Sequence, residues 1–417
     1  MTEGIHILSV RETIHTAWAL GQHHEQIAGY WHIFIVHYLE YTHKSTTFTA
    51  GYGVRMTNNV SFSTYKWLLP LSWIYGMVVA VRNWLFDAGW IESTSFPIPI
   101  VNVGNITIGG TGKTPHTEYL IRLLSSKWCV AVLSRGYGRQ SSGYILAKAD
   151  TPQSAIGDEP WQMKQKFPDV HIAVDANRRR GIRHLMNDPE TRDTQVILLD
   201  DAYQHRYVKA GLNILLVNWH RPIDCDYLLP AGRLREPFGG RERADIVIVS
   251  KCPHDVQQID LRMMQHNLRL KPFQRLYFSR FVYGMLYPLF TESEAGKLFP
   301  EGLKGHNVLL MSAIGCPKQM EEELRTKVKS MKTLTFPDHH DYTVSNMRWA
   351  EKVYKKLPEP RIVVTTEKDA ARLKETMTYN DTEMHQHIYV LPITVGFVHN
   401  KQETFNKNIT DYVQKNS

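Results

Sequence analysis

A chain of 417 residues, 43% hydrophobic and 22% charged, is longer than the ~250–300 residues at which a single core stops growing, and its composition excludes a disordered or fibrous protein. A formal charge of +8 favours an anionic partner; with neither zinc-finger spacing nor an RNA-binding signature, that partner is expected to be anionic lipid or a phosphorylated substrate, not nucleic acid. Cys129, Cys225, Cys252 and Cys316 show no metal spacing and no disulfide framework, which fits a reducing cytosol and buried structural thiols.

Residues 1–55 are rich in His, Thr and Tyr and lack the basic segment, apolar core and small-residue cleavage site of a secretion signal. Met56 opens a segment that reads as a protein start. Residues 1–55 are therefore expected to be an atypical extension, either upstream of the true start or translated and poorly ordered. Residues 67–81 (WLLPLSWIYGMVVAV) are uncharged and mostly apolar, flanked by Lys66 and Arg82. That is short of the ~20 residues that span a bilayer, and the Trp and Tyr content suits a helix lying in the headgroup region.

Residues 98–103 form a β-branched apolar run, followed by a glycine-rich turn, Lys113-Thr114 and a helical pattern with Pro115 and Glu118 in its first turn. Strand, glycine loop and helix are the setting of a phosphate-binding loop. Gly109, Gly110 and Gly112 let successive N–H groups point into one concavity, Lys113 supplies a charge for the β- and γ-phosphates, and the Thr114 hydroxyl suits Mg²⁺. Thr107 stands where the usual GxxxxGK[ST] spacing has glycine, so an incidental lysine in a glycine turn is the competing reading.

Strand and helix units continue. Residues 130–133 lead into SRGYGR (134–139), whose glycines and arginines sit where ligands bind in open α/β sheets. Asp158 and Glu159 in IGDEP suit a helix N-terminus as well as general-base or metal work. After a short strand at 171–174, Arg178, Arg179, Arg180 and Arg183 read equally as a solvated helix face and a phosphate clamp. Residues 196–199 followed by Asp200-Asp201 have the form of a strand delivering carboxylate to Mg²⁺; Gln204 and His205 follow within a turn, as substrate-side groups or caps. Further strands are expected at 213–217 and 246–249, separated by PAGRLREP (230–237), whose Arg233 and Arg235 suit anion recognition; a helix over 255–270 closes the domain. Residues 273–290 alternate aromatic and polar around Tyr283-Gly284 like a hairpin. Strands at 308–311, 332–336, 361–365 and 389–392 build a second domain, with FPDHHDY (336–342) offering an Asp–His pair or a metal cluster, and TTEKD (365–369) a ligand contact or a cap.

Taken together, PLSWIYGMVVAVRNWLFDAG, STSFPIPIVNVGNITIGGTGKTP, SRGYGR, GDEP, DDAYQH, PAGRLREP, FPDHHDYT and TTEKDAARL resemble, in order, the motifs of the tetraacyldisaccharide 4'-kinase family of lipid A biosynthesis over residues 66–395. The family tolerates a non-glycine at the Thr107 position. The resemblance implies an α/β fold: a P-loop NTPase-type, mostly parallel sheet domain (96–272), a β-ribbon linker (273–292), a smaller α/β domain (293–417), and a membrane-associated helix region (56–95) behind the 1–55 extension. It implies transfer of phosphate from ATP, with Mg²⁺, to the 4'-hydroxyl of a lipid A disaccharide 1-phosphate, giving lipid IVA at the cytoplasmic face of the inner membrane. Carried over by position, Thr107, Ile108, Gly109, Gly110, Thr111, Gly112, Lys113 and Thr114 bind nucleotide phosphates. Thr114, Asp200, Asp201 and Glu159 belong to the metal site. Asp158 is the base, with His339 rather than His340 as its partner, and Lys113 and Arg235 neutralise charge. Asn105, Arg135, Gln204 and His205 face the substrate. A P-loop GTPase switch is the rival reading, but at its guanine-reading motif this chain has Ser250-Lys251-Cys252-Pro253, with proline in place of aspartate. A membrane-anchored binding protein without catalysis leaves Asp158 and the Asp200–Asp201 pair unexplained.

Overall fold

A computed structural model of the chain describes residues 66–290, 298, 300–314, 317–337, 340–377 and 383–417. Residues 1–55, Met56, Cys316 and His339, each the subject of an expectation above, lie outside the described residues.

The first helix, α1 (Leu69–Asp87), starts with proline in its first turn and covers the apolar segment read from the sequence. Strand β1 (Ile100–Gly104) is buried along its whole length, and α2 (Lys113–Leu124) follows the glycine turn. Next come β2 (Val130–Ser134), the two-residue β3 (Ile145–Leu146), α3 (Asp158–Lys166), β4 (His171–Val174), α4 (Arg178–Asn187), β5 (Val196–Asp200), β6 (Leu212–Asn218), β7 (Ile246–Ser250), α5 (Gln258–Leu268) and β8 (Arg275–Tyr283). They build a nine-stranded sheet in the order β14-β8-β7-β6-β1-β5-β2-β4-β3, parallel from β8 to β4, with antiparallel β3 and β14 (Ile393–Phe397) at its edges.

Near-continuous apolar strands fit this sheet because helices cover both faces. Val101, Val103, Val130 and Val132 face Leu120 and Ile121 of α2 together with Phe405, Ile409 and Val413 of the C-terminal helix. Ile100, Ala131 and Leu133 turn the other way, onto Ile182 and Leu185 of α4. Alternate residues of one strand thus feed two cores.

The second sheet has the order β11-β10-β12-β13-β9. It combines β9 (Tyr287–Pro288), β10 (Asn307–Ser312), β11 (Ser330–Thr335), β12 (Arg361–Thr366) and β13 (Ile388–Leu391) with α6 (Lys318–Arg325), α7 (Val344–Lys355) and α8 (Glu367–Met377). Only β9 is antiparallel.

Three findings differ from expectation. The segment 273–290 is not a hairpin: β8 pairs in parallel with β7, its antiparallel partner is the distant β14, and β9 joins the other sheet. The chain past Leu391 does not stay with the second sheet, since β14 and α9 (Gln402–Asn416) return to the large one, where Phe405, Ile409 and Val413 are buried. Burying three such side chains is worth about 1.5–3 kcal/mol each, which fixes the return. Among the cysteines, Cys252 is buried as expected, but Cys129 is only half-buried, where its thiol donates to Asp193 at 3.3 Å, and Cys225 is exposed.

Candidate functional site

Strand β1 lies between β5 and β6, so the turn after it opens where the chain's connections diverge, the usual binding crevice of an open α/β sheet. Gly109, Gly110 and Gly112 all have positive φ (63°, 66° and 78°), a region side-chain-bearing residues avoid, which is why this turn needs glycine. Side chains from elsewhere lock it. The Asn218 amide donates to the Gly110 carbonyl at 2.9 Å, Ser250 Oγ to the Thr111 carbonyl at 2.8 Å, and Asn105 Nδ2 to Thr111 Oγ1 at 2.8 Å. His116 donates from Nδ1 to the Gly112 carbonyl (2.7 Å) and accepts at Nε2 from Ser279 (2.9 Å). The ring is neutral because burial, aided by Lys251, pushes the His116 pKa down to about 4 against the opposing Gly112 bond. The PAGRLREP segment completes the wall: Arg235 N–H donates to the Ile106 carbonyl (2.7 Å) and Ile108 N–H to the Arg233 carbonyl (2.8 Å).

Beside this turn, β5 ends in Asp200, which is fully buried and accepts from Thr117 Oγ1 (3.1 Å) and Ser134 Oγ (3.3 Å). Its pKa is raised by burial and then by the charges of Glu159 and Asp201, only partly offset by Lys113. Asp201 has left-handed backbone (φ 47°), which aspartate tolerates better than most residues. Its side chain meets Lys113 Nζ at 3.7 Å and Arg235 Nη1 at 3.3 Å. Burial is the largest influence on Asp201 and opposes ionisation, but Lys113, Arg235 and Arg178 together hold its carboxyl below the usual carboxylate range. Three carboxylates and the Thr114 hydroxyl are hard oxygen donors, and their mutual repulsion at Asp200 is what a divalent cation relieves; the residues present fit Mg²⁺.

Asp158 opens α3, beside the loop that follows β2. Gly157 has φ 89°, and a Cβ there would stand 2.6 Å from the Tyr137 carbonyl, so glycine lets the GDEP turn pack against SRGYGR. The Asp158 carboxylate accepts from Gln153 Nε2 at 2.7 Å and forms an ion pair with Arg372 of α8. Gln204 donates to the Asn105 carbonyl (2.6 Å) and accepts from Arg235 (3.4 Å). Burial, then Arg178, Arg82, Arg179 and Arg135, press the His205 pKa down to about 4.

The structure therefore brings together Asn105, Lys113, Asp200, Asp201, Gln204 and Arg235, with Glu159 close enough to act on Asp200 and Arg135 on His205. It resolves the basic run. Arg178 is buried and donates to the carbonyls of Asp175 (2.8 Å) and Asp200 (3.3 Å), Arg180 grips the Asp175 carboxylate through two 2.8 Å bonds, and Arg179 lies over the Tyr207 ring. Arg178 and Arg180 brace the strand ends. His340 stacks on Phe336 (4.9 Å) and bonds Asn346 (2.9 Å), away from any pairing with Asp158 among the described residues. His116, Asn218 and Arg372 were not singled out by sequence, and Ser250 only in the stretch weighed as a guanine-reading motif; each acts on a partner distant in the chain.

A family model described as LpxK, tetraacyldisaccharide-1-P 4'-kinase, matches residues 64–414. The tetraacyldisaccharide 4'-kinase of Phocaeicola vulgatus is 53% identical over 353 residues, covering 84% of this chain and 96% of that one. The protein of the same name from Bacteroides thetaiotaomicron is 47% identical, covering 85% and 94%. The crystal structure of LpxK from Aquifex aeolicus in complex with ATP superposes with a TM-score of 0.63 at 28% identity, covering 84% of this chain and 99% of that one. The chain belongs to the tetraacyldisaccharide 4'-kinase family.

Proposed function

We propose that this protein is an ATP-dependent kinase that transfers the γ-phosphoryl group to the 4'-hydroxyl of a lipid A disaccharide 1-phosphate, producing lipid IVA. The observation that carries the reading is the meeting of Lys113 and Arg235 on Asp201 beside the buried Asp200, with Glu159, the chain neighbour of Asp158, close enough to act on Asp200. In the reaction Asp158 accepts the 4'-hydroxyl proton while that oxygen bonds to the γ-phosphorus and the bond to the departing ADP oxygen breaks. Lys113, held by Asp201, and Arg235 neutralise charge on the phosphoryl oxygens. Thr114, Asp200, Asp201 and Glu159 would hold Mg²⁺, which when bound supplies further charge neutralisation at the β- and γ-phosphates. We assign His339 the orientation of Asp158, and Asn105, Arg135, Gln204 and His205 the substrate side of the crevice.

We also propose that the protein works at the cytoplasmic face of the inner membrane. Residues 66–87 are long and apolar enough to cross a bilayer. One side of the helix is nevertheless tied to the protein: Ser72 donates to the Leu228 carbonyl (2.9 Å), Tyr75 to the Arg235 carbonyl (2.8 Å), and Arg82 to the Gln204 carbonyl. The opposite side exposes Trp67, Trp73, Ile74 and Val78, the last at 63%. A helix bonded along one face and apolar along the other supports lying on the membrane, with the Arg235 loop carried at the lipid surface. The GTPase reading is disfavoured because Ser250 is committed to the Thr111 and Val217 carbonyls and Cys252 is buried.

The test uses γ-³²P-ATP, Mg²⁺ and detergent-dispersed lipid A disaccharide 1-phosphate, followed by thin-layer chromatography. Label is expected to move into the lipid, and to stay in ATP with Lys113→Ala and Asp158→Ala. No transfer by folded protein that prefers GTP to ATP would overturn the proposal.

A further inference from the structure

We infer that Arg372, from the TTEKDAAR segment of the smaller sheet, is a positioning residue for the proposed base Asp158, and that it fixes Asp158 against the chain segment beginning at His340. The inference rests on the assignment of Asp158 as base. Three observations carry it. First, Arg372 is buried, its side chain 7% exposed, yet it reaches across from α8 to the Asp158 carboxylate, itself 19% exposed. A buried guanidinium aimed at a half-enclosed carboxylate is costly to place and serves to hold a geometry, because its planar donors fix direction as well as charge. Second, the same guanidinium donates from Nη1 to the His340 carbonyl at 3.1 Å, so one side chain joins the GDEP turn of the large sheet to the FPDHHDY segment of the small one. Third, α8 is itself anchored where it begins. Asp369 is fully buried and accepts from the Ala313 amide (3.0 Å) and Thr366 Oγ1 (2.7 Å), while Thr376, one turn past Arg372, donates to the Tyr342 carbonyl (3.0 Å). The base is therefore oriented from two directions: Gln153 within its own domain holds one oxygen, and Arg372 from the other sheet holds the second.

This arrangement gives TTEKDAAR a role beyond capping a helix. Asp369 braces the start of α8, Arg372 extends from its next turn, and the carboxylate that receives the proton is aligned by a group that never touches the phosphates. Loss of Arg372 should leave ATP binding intact and misalign the base, a fault seen in kcat and not in the KM for ATP.

A double-mutant cycle tests this with full-length protein in single-turnover phosphorylation of the lipid substrate, using Arg372→Gln, Arg372→Lys, Asp158→Asn and the double variant Asp158→Asn/Arg372→Gln, each checked for native thermal unfolding. Arg372→Gln is expected to slow transfer about 10- to 100-fold with the KM for ATP within twofold, and Arg372→Lys to recover part of the loss. In the Asp158→Asn background, Arg372→Gln should cost nothing further, because the two residues act as one unit. Losses that multiply in the double variant, or a KM for ATP that rises in step with the fall in kcat, would overturn the positioning role and leave the base assignment standing. Should Asp158→Asn itself transfer at the normal rate, the base assignment fails and this inference falls with it. If Arg372→Gln does not fold, Arg372→Lys alone decides: unchanged transfer by a folded lysine variant, whose ammonium cannot span both partners, would refute the two-way brace.

Discussion

The two sides of the crevice are held by different forces. On the nucleotide side, the Gly110, Thr111 and Gly112 carbonyls accept from Asn218, Ser250 and His116, all uncharged donors in buried surroundings. On the side of the proposed base, the small sheet reaches the large one through charge: Arg372 with Asp158, and Lys166 with Glu367 at 2.7 Å. Buried neutral hydrogen bonds are short-ranged, insensitive to salt and costly to leave unmade, so they hold a turn in one shape before any ligand arrives. Ion pairs act over a longer range than neutral hydrogen bonds, which suits a junction between two sheets that do not share a core. A phosphate cradle gains from a fixed local shape, and the proposed base Asp158 gains a fixed direction from a partner in the other sheet.

The comparison breaks most severely at Lys113, where the two kinds of force meet. Its ammonium is 3.7 Å from Asp201 and emerges from the rigid turn. Lys113→Met should lower kcat about 10³-fold, since a positioned cation at developing phosphoryl charge is among the larger single contributions to such catalysis. Asp201 would keep Arg235 at 3.3 Å, so thermal stability should fall little. Comparison of kcat with the melting temperature separates the two effects; a variant that loses stability in proportion to activity would show Lys113 to be structural.

The nucleotide side can be probed without touching catalysis, through pH. His116 is fully buried with its pKa lowered to about 4 from an ordinary 6.5. Between those values the unfolded chain binds a proton that the native one refuses, so this contribution to stability is complete above pH 6.5 and is lost as pH falls towards 4. The shift corresponds to about 3 kcal/mol. His116→Gln, which cannot titrate, should flatten urea-unfolding stability over that interval by about this amount; of the other groups titrating there, His205, also lowered to about 4, acts in the same sense and Asp200, raised to about 7, in the opposite one. Equal slopes in the two proteins would show that His116 is charged in the native state.

Much of the nucleotide side was legible in the sequence, because its signals are local. Glycines at positive φ, a lysine opening a helix and acids ending an apolar strand are each set by neighbours within a few residues. The locks on the same turn were not legible: His116 bonds Ser279, 163 positions away, and neither residue carries a local sign of the other. Arg372 and Asp158 are 214 apart. The arginine run was ambiguous for the same reason, since Arg178 and Arg183 look alike in sequence, and only the fold buries the first against the Asp200 carbonyl. The return of β14 and α9 to the large sheet had no herald either: strand β14 is five residues long, and its pairing with β8 is a tertiary choice.

The finest discrimination lies at Glu367, where a small net effect is itself the expectation. Lys166 bridges two carboxylates, Glu118 of α2 and Glu367 of α8, each at 2.7 Å. Glu118 is almost wholly buried, and its pKa is raised chiefly by that burial and further by the charge of Glu367, with Lys166 opposing. Glu367→Gln removes one attraction to Lys166 but also one repulsion on Glu118, and the new amide oxygen can still accept from the Ile393 N–H, now 3.2 Å from the carboxylate. The two changes oppose, so stability should drop by no more than about 1 kcal/mol at low salt. What distinguishes the site is its response to ions. The deficit of Glu367→Gln should shrink in part as NaCl approaches 1 M, where the screening length is about 3 Å but the pair is largely buried, whereas the His116→Gln difference should persist unchanged. Parallel denaturation series for the two variants at low and high salt measure this directly. A Glu367→Gln deficit that ignores salt would mean the sheets are joined by packing around α8 rather than by charge, and the contrast between the two sides of the crevice would be one of sequence distance alone.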